Sequence, residues 1–220
     1  MGKSTREGED NMRHSGAILK FYYGAMGCGK TRKLQGDFYS KKEDGFDIIV
    51  VKPSIDTKGN NNTLARDGGT VETAFLLKQE DNFYMMIASY LIENNLDFIL
   101  VDEAQFLTKK QVEELFNIVE IFNISVICYG LKTDFMSNLF EGSKRLFELA
   151  DESIGIYRQC SCGSNKTFNA RVDAEGQFIL EGEQVAIDGE AYYKSVCRSC
   201  YRKGKVKART RKIKSEDIEI

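Results

Sequence analysis

The stretch Gly24-Ala25-Met26-Gly27-Cys28-Gly29-Lys30-Thr31 fits the pattern G-x-x-x-x-G-K-[ST] at every fixed position. Such a loop works only between a strand and a helix. Its glycine-rich backbone must turn several N–H groups inward on a phosphate, while the helix that follows offers the positive end of its dipole. The flanks agree. Ala17 to Tyr23 is a short apolar and aromatic run that reads as a buried strand, and a helix is expected from about Thr31 to Lys42. In that setting Lys30 reaches the β- and γ-phosphates of a nucleotide and the Thr31 hydroxyl is a Mg²⁺ ligand. Cys28 reads as a small residue standing where serine or alanine would fit, although a thiol inside an anion nest is also a candidate for a lowered pKa.

The rest of the chain continues the alternation that the loop begins. Phe46 to Val51 is a nearly unbroken apolar run stopped by Pro53, the only proline. Asp81 to Asn94 carries apolar residues at helical spacing, Leu96 to Val101 reads as a strand, Lys109 to Phe122 as a helix, Ile124 to Tyr129 as a strand and Gly142 to Leu149 as a helix. Strands alternating with helices predict an α/β fold, here a P-loop (RecA-like) parallel sheet flanked by helices with right-handed crossovers. The polar stretch from Ser54 to Gly69 is too poor in apolar residues to form core and reads as a mobile loop beside the site.

Beyond Leu149 the texture changes to cysteine pairs, glycines and short alternating strands such as Gln177 to Leu180, which places a domain boundary near Asp151. At 220 residues and 42% hydrophobic content the chain can bury one full core and still supply a small second unit. The expected organisation is a disordered extension over 1–15, a nucleotide-binding domain over 16–150, a small zinc-binding domain over 151–205 and a flexible tail over 206–220. A formal charge of −2 gives no global signature of a nucleic-acid binder, although Tyr201 to Lys214 is locally basic. No apolar run approaches the roughly 18 residues of a membrane span, and Met1 to His14 is polar, so a cytoplasmic protein without membrane partners is expected.

Two further constellations carry chemistry. Phe98 to Val101 is an apolar strand that runs into Asp102 and Glu103, the arrangement by which phosphate-loop enzymes bring an acid to Mg²⁺. Asp102 is the natural metal partner. Successive strand residues face opposite ways, which sends Glu103 elsewhere, either as a general base that accepts a hydroxyl proton or as a surface carboxylate beside the metal site. The second constellation is Cys160-Ser-Cys162 and Cys197-Arg-Ser-Cys200. Four thiolates suit a closed tetrahedral Zn²⁺ site in a reducing compartment, with a disulfide or unrelated thiols as the alternative.

Taken together, Gly24 to Thr31, Asp102-Glu103-Ala104-Gln105-Phe106, Leu131-Lys132-Thr133-Asp134-Phe135 and Tyr193 to Tyr201 closely resemble the type II thymidine kinases, in family order across roughly residues 17 to 205. The resemblance implies ATP and Mg²⁺ at the phosphate loop and at Asp102 to Gln105, with Glu103 as catalytic base. It implies a further nucleotide contact at Asp56, Thr57 and Lys58. It encloses the nucleoside with Met26, Phe106, Leu131 and Phe135, and closes the loop Val185, Ala186, Ile187, Asp188 and Gly189 over the base together with Tyr193. Read without the family, Phe106, Leu131 and Phe135 are apolar residues just past strand ends, where either core packing or a ligand accounts for them.

The implied reaction is γ-phosphoryl transfer from ATP to the 5′-hydroxyl of thymidine, with deoxyuridine as a second substrate, in a homotetramer inhibited by thymidine triphosphate. Glu181 to Tyr193, with Gly182 and Gly189, is the expected lid. One departure stands out: the family shows C-x-x-C at the first cysteine pair, and Gln159 occupies its first position, so Cys162→Ser is expected to be more damaging than Cys160→Ser. The rival reading is a nucleic-acid-dependent ATPase, since Asp102 to Gln105 also resembles the acidic motif of helicases and zinc ribbons bind nucleic acid. Such motors use two sheet domains, and only one fits before residue 151.

Overall fold

The apolar runs become the strands of one sheet. The computed structural model describes residues 16–54, 62–64, 70–185, 192–205 and 208. In chain order the first elements are β1 (Leu19–Gly24), α1 (Lys30–Glu43), β2 (Ile48–Pro53), β3 (Asn62–Leu64), β4 (Thr70–Glu72), β5 (Phe75–Leu77) and α2 (Phe83–Tyr90). Then come β6 (Phe98–Val101), a 3-10 turn at Ala104–Phe106, α3 (Lys109–Phe122), β7 (Ser125–Leu131), α4 (Glu141–Leu149) and β8 (Glu152–Gly155). The chain continues into β9 (Phe168–Val172), β10 (Phe178–Ile179) and β11 (Tyr192–Val196), and residues 198–205 are helical.

Six strands form a sheet in the order β5-β2-β6-β7-β1-β8, and every pairing within it is parallel. Its central strands are buried on both faces, which is why they read as continuous apolar runs rather than as alternating ones. The alternation appears instead as a choice of face. Ile99 and Val101 of β6 and Val126 and Cys128 of β7 pack with α3 and α4 residues such as Leu115, Ile118 and Leu146. Phe98, Leu100, Ile127 and Tyr129 pack on the other face with Leu34 of α1. The predicted α/β class, a parallel sheet with helices on both faces, is therefore the observed one.

Helix boundaries follow local chemistry. In α3 the Thr108 side chain accepts from the Gln111 N–H, and the Gln111 side chain accepts from the Thr108 N–H, a reciprocal cap worth about 1 kcal/mol. Val112, Leu115, Ile118 and Val119 form its buried stripe, and truncating Leu115 to alanine should cost about 3 kcal/mol. The segment predicted as helical from Asp81 to Asn94 is helical only from Phe83 to Tyr90. Asn82 caps it, and the buried Glu114 carboxylate accepts from the Phe83 N–H.

Two segments carry strands that the sequence does not announce. The expected boundary at Asp151 falls just before β8, which pairs with β1 from Lys20↔Glu152 to Tyr23↔Gly155 and so extends the main sheet past that point. Its sequence Glu-Ser-Ile-Gly has no apolar run because this is an exposed edge strand. The polar stretch 54–69, read as loop throughout, contains β3, which pairs antiparallel with β4. The remaining units are the antiparallel sheet β10-β9-β11 and the helix over 198–205. Tyr201 of that helix stacks on Phe168 at 4.8 Å, and its hydroxyl donates to the Phe135 carbonyl at 2.5 Å. That contact seats the second sheet against the loop after β7.

Candidate active site

Parallel strands deliver their C-terminal ends to one edge of the sheet, and the loops there form the site. The phosphate loop joins β1 to α1, with Gly29 at φ 103°, a backbone conformation that other residues adopt only under strain. Over the loop opens a cavity of about 700 Å³, lined by residues 26–33, Gly36, Asp37, Glu103, Leu131 and Arg158. Lys30 is buried, with its ammonium donating to the Ala25 carbonyl at 3.0 Å and lying 3.9 Å from the Cys28 sulfur. Thr31 lines the cavity two positions after Gly29.

Asp102 follows β6 and is buried at 4% exposure, outside the cavity lining. Burial pushes its carboxyl up to about 7, the negative charge of Glu103 adds to the rise, and Lys52 and Lys30 oppose it. Glu103 does not continue the strand. It sits at φ 50° and ψ 37°, in the left-handed region, so turn geometry rather than strand alternation aims its side chain. For a non-glycine residue that conformation costs about 1 kcal/mol and needs support from its surroundings. Support comes from Gln105, buried at 2% exposure, whose amide donates to the Glu103 carboxylate at 2.7 Å and accepts from the Leu131 N–H at 2.8 Å. Gly142 matters for the same turn, because a Cβ there would sit 2.6 Å from the Leu107 carbonyl and 2.7 Å from that of Ala104.

The residues predicted to hold a nucleoside are dispersed. Met26 and Leu131 line the phosphate cavity. Phe106 packs edge-on against Phe140 and lines a separate cavity of about 370 Å³ with Pro53 and Gln111. Phe135 is buried beneath the Arg171 guanidinium, 3.9 Å from its ring centre, and the Tyr193 hydroxyl accepts from Arg171 Nε at 3.0 Å and Nη2 at 2.6 Å. Val185 is half-buried; Ala186, Ile187, Asp188 and Gly189 lie outside the described residues, as do Asp56, Thr57 and Lys58.

Three residues at the site escaped the sequence reading. Asn169 and Arg171 are alternate residues of β9 and both are buried. Asn169 accepts from the Met26 N–H of the phosphate loop at 2.8 Å and donates to the Thr133 carbonyl at 2.8 Å. Arg158 donates to the Gly27 carbonyl at 3.3 Å. The one available signal was the period-2 spacing of polar Asn169 and Arg171 within an otherwise apolar strand.

The four cysteines converge. The sulfurs of Cys160, Cys162, Cys197 and Cys200 all lie within 4.8 Å of one another. Cys162 is 3.3 Å from Cys197, Cys200 is 3.8 Å from Cys162, and Cys160 is 3.9 Å from Cys200. Tetrahedral Zn²⁺ with bonds of about 2.3 Å separates sulfurs by roughly 3.8 Å, so the set fits that ion. The C-x-C spacing works because the turn is tight: the Cys160 N–H donates to the Ser164 carbonyl and the Gly163 N–H to the Cys160 carbonyl. Backbone N–H groups of Cys162 and Cys197 pull the Cys160 thiol down to about 6, whereas hydrogen bonding from Cys197 and the other sulfurs pushes Cys200 up to about 12. Four sulfurs this close cannot all ionise without a cation among them.

Residues 17–201 match the protein family described as thymidine kinase. A thymidine kinase of Shewanella oneidensis is 41% identical over 186 residues, which is 84% of this chain and 97% of that protein. Thymidine kinases of Legionella pneumophila strain Lens and of Coxiella burnetii are 39% and 40% identical over 189 residues, covering 86% of this chain and 90% and 96% of theirs. Among solved structures, that of a DNA replication initiation factor is 21% identical with a TM-score of 0.38, over 64% of this chain and 40% of the other, an overlap too small to bear on function.

Proposed function

Because this chain belongs to the thymidine kinase family and is an ATP-dependent nucleoside kinase, we propose that Glu103 is its general base and that the phosphate cavity is its ATP site. The observation that carries this reading is the Glu103 carboxylate, held by Gln105 at the lining of the same cavity as Lys30. The 5′-hydroxyl oxygen of thymidine, or of deoxyuridine, attacks the γ-phosphorus in line. Its proton passes to Glu103, and the bond to the β-phosphate oxygen breaks to leave ADP. Lys30 stabilises the charge that spreads over the transferring group, and Arg158 is a further cation at the cavity wall.

Thr31 and Asp102 are the residues that would hold Mg²⁺, which supplies charge neutralisation across the phosphates when bound. Cys160, Cys162, Cys197 and Cys200 would hold Zn²⁺, which supplies a structural staple for the second sheet. The nucleoside set is Met26, Phe106, Leu131, Phe135, Val185 to Gly189 and Tyr193, and Asp56 to Lys58 add to the nucleotide contacts. We extend the reading to a homotetramer, feedback inhibition by thymidine triphosphate, and a cytoplasmic location with no nucleic-acid or membrane partner. Among the described residues no helix is long and apolar enough to cross a membrane.

The test is ATP-dependent phosphoryl transfer across a panel of nucleosides, where thymidine and deoxyuridine should give monophosphates. ATP hydrolysis stimulated by DNA, with no nucleoside product, would overturn it in favour of the nucleic-acid-dependent ATPase. A single six-stranded sheet among the described residues speaks against that rival.

A further inference from the structure

The second sheet contributes a buried cation that the reaction above does not use. Arg171 is 5% exposed, and it contacts three residues at or beside the wall proposed for the nucleoside. Its Nε and Nη2 groups both donate to the Tyr193 hydroxyl oxygen, at 3.0 Å and 2.6 Å. Nη2 also donates to the Glu183 carbonyl at 2.9 Å, and the guanidinium plane covers Phe135 at 3.9 Å. The register explains the convergence: Arg171 of β9 pairs directly with Tyr193 of β11, which puts both side chains on one face of the sheet.

A guanidinium has donors and no acceptor, so two N–H groups on one phenol oxygen occupy its lone pairs. The phenol proton must then point away from Arg171. We propose that Arg171 is a positioning residue of the nucleoside site, fixing the Tyr193 hydroxyl as an outward hydrogen-bond donor to the 3′-hydroxyl oxygen of the nucleoside sugar. This rests on the kinase reading, since it takes Tyr193 to face the substrate. Lysine cannot replace Arg171: it lacks the planar fork that meets the phenol oxygen twice, and the flat face that lies on Phe135.

The test compares wild type, Arg171→Lys, Tyr193→Phe and the double variant by steady-state kinetics, with thymidine and 3′-deoxythymidine as acceptors and with zinc content as the measure of intact folding. Each single variant should raise KM for thymidine about tenfold, the scale of one hydrogen bond, while KM for ATP stays within about twofold. The double variant should be no worse than either single one, because both remove the same donor. Wild type should prefer thymidine over 3′-deoxythymidine, and the variants should lose that preference. Additive losses, or an unchanged thymidine KM in Arg171→Lys, overturn the proposal. Should Arg171→Lys fold poorly, Tyr193→Phe still decides, since it leaves the buried cation and its stack in place, and a thymidine KM equal to wild type overturns the proposal. A wild-type protein that phosphorylates no nucleoside overturns the kinase reading as well; normal turnover with indifferent variants overturns this inference alone.

Discussion

The phosphate cavity is floored by one continuous stretch of chain, residues 26–33, whereas the proposed nucleoside wall is assembled from single side chains of β9, β11 and the loop after β7. The first depends on chain conformation, which a short motif encodes almost alone. The second depends on how two sheets meet, and on the sulfur cluster and Tyr201 that seat one against the other. Changes to the first should therefore alter chemistry in a protein that still folds, and changes to the second should alter folding or nucleoside affinity before chemistry.

The largest expected effect is on the second region. Structural Zn²⁺ contributes on the order of 10 kcal/mol to small thiolate sites. Cys197→Ser or Cys200→Ser should release about one Zn²⁺ per chain and expose β9 to β11 to amide exchange while the main sheet stays protected. Uniform protection after metal loss would refute the division. Cys160 is buried and Cys162 exposed, so Cys160→Ser should now be the more damaging of that pair, the reverse of what the position of Gln159 implies. Thermal scans of the two variants decide it.

Next comes Glu103→Gln, which should lower kcat by about 10²-fold or more while ATP and thymidine still bind, because only proton acceptance is lost. Near-normal turnover would remove Glu103 from the mechanism. Gln105→Leu should fall between these and the smallest effects. It frees the Glu103 carboxylate and the Leu131 N–H together, and kcat should drop about tenfold with little change in KM for ATP. A variant that changes ATP affinity alone would show Gln105 acting on nucleotide directly.

The smallest effect is a pH dependence of stability. Burial holds the Asp102 carboxyl up to about 7 in the protein, above the roughly 3.9 of an unfolded chain. Between those values the folded protein keeps a proton that the unfolded chain has released, so Mg²⁺-free stability falls as pH rises from about 4 to 7. Tm measured across that range should decline, and Asp102→Asn should flatten the slope. A flat profile in the parent protein would mean that Asp102 is better solvated than its burial implies.

How much of this was legible follows from how each part is encoded. β6, β7 and α3 were readable because burial on two faces or one stripe leaves a pattern in consecutive residues, and the phosphate loop because its glycines are conformational requirements. β8 was not: an edge strand needs few apolar residues, and Glu152 to Gly155 offers almost none. Glu103 does point away from Asp102, but the cause is not strand alternation: its left-handed backbone comes with the turn and its carboxylate is held by Gln105, which no strand rule anticipates. Asn169 and Arg171 were missed because a polar residue in a strand shows its function only once the face opposite is known.

One short stretch of backbone ties these regions mechanically. The chain leaves the main sheet at Gly155, the Ile156 N–H donates to the Tyr23 carbonyl at 2.7 Å, and Arg158 reaches Gly27 before the sulfur turn begins at Cys160. The Arg158 carbonyl in turn accepts from the Lys166 N–H at 2.8 Å on the far side of that turn. Only four residues, 156–159, separate the end of β8 from Cys160. An oxidant or chelator that opens the sulfur turn pulls on the strap beside the phosphate loop, so nucleotide handling should fail while the main sheet is still intact, and loss of activity should run ahead of the melt.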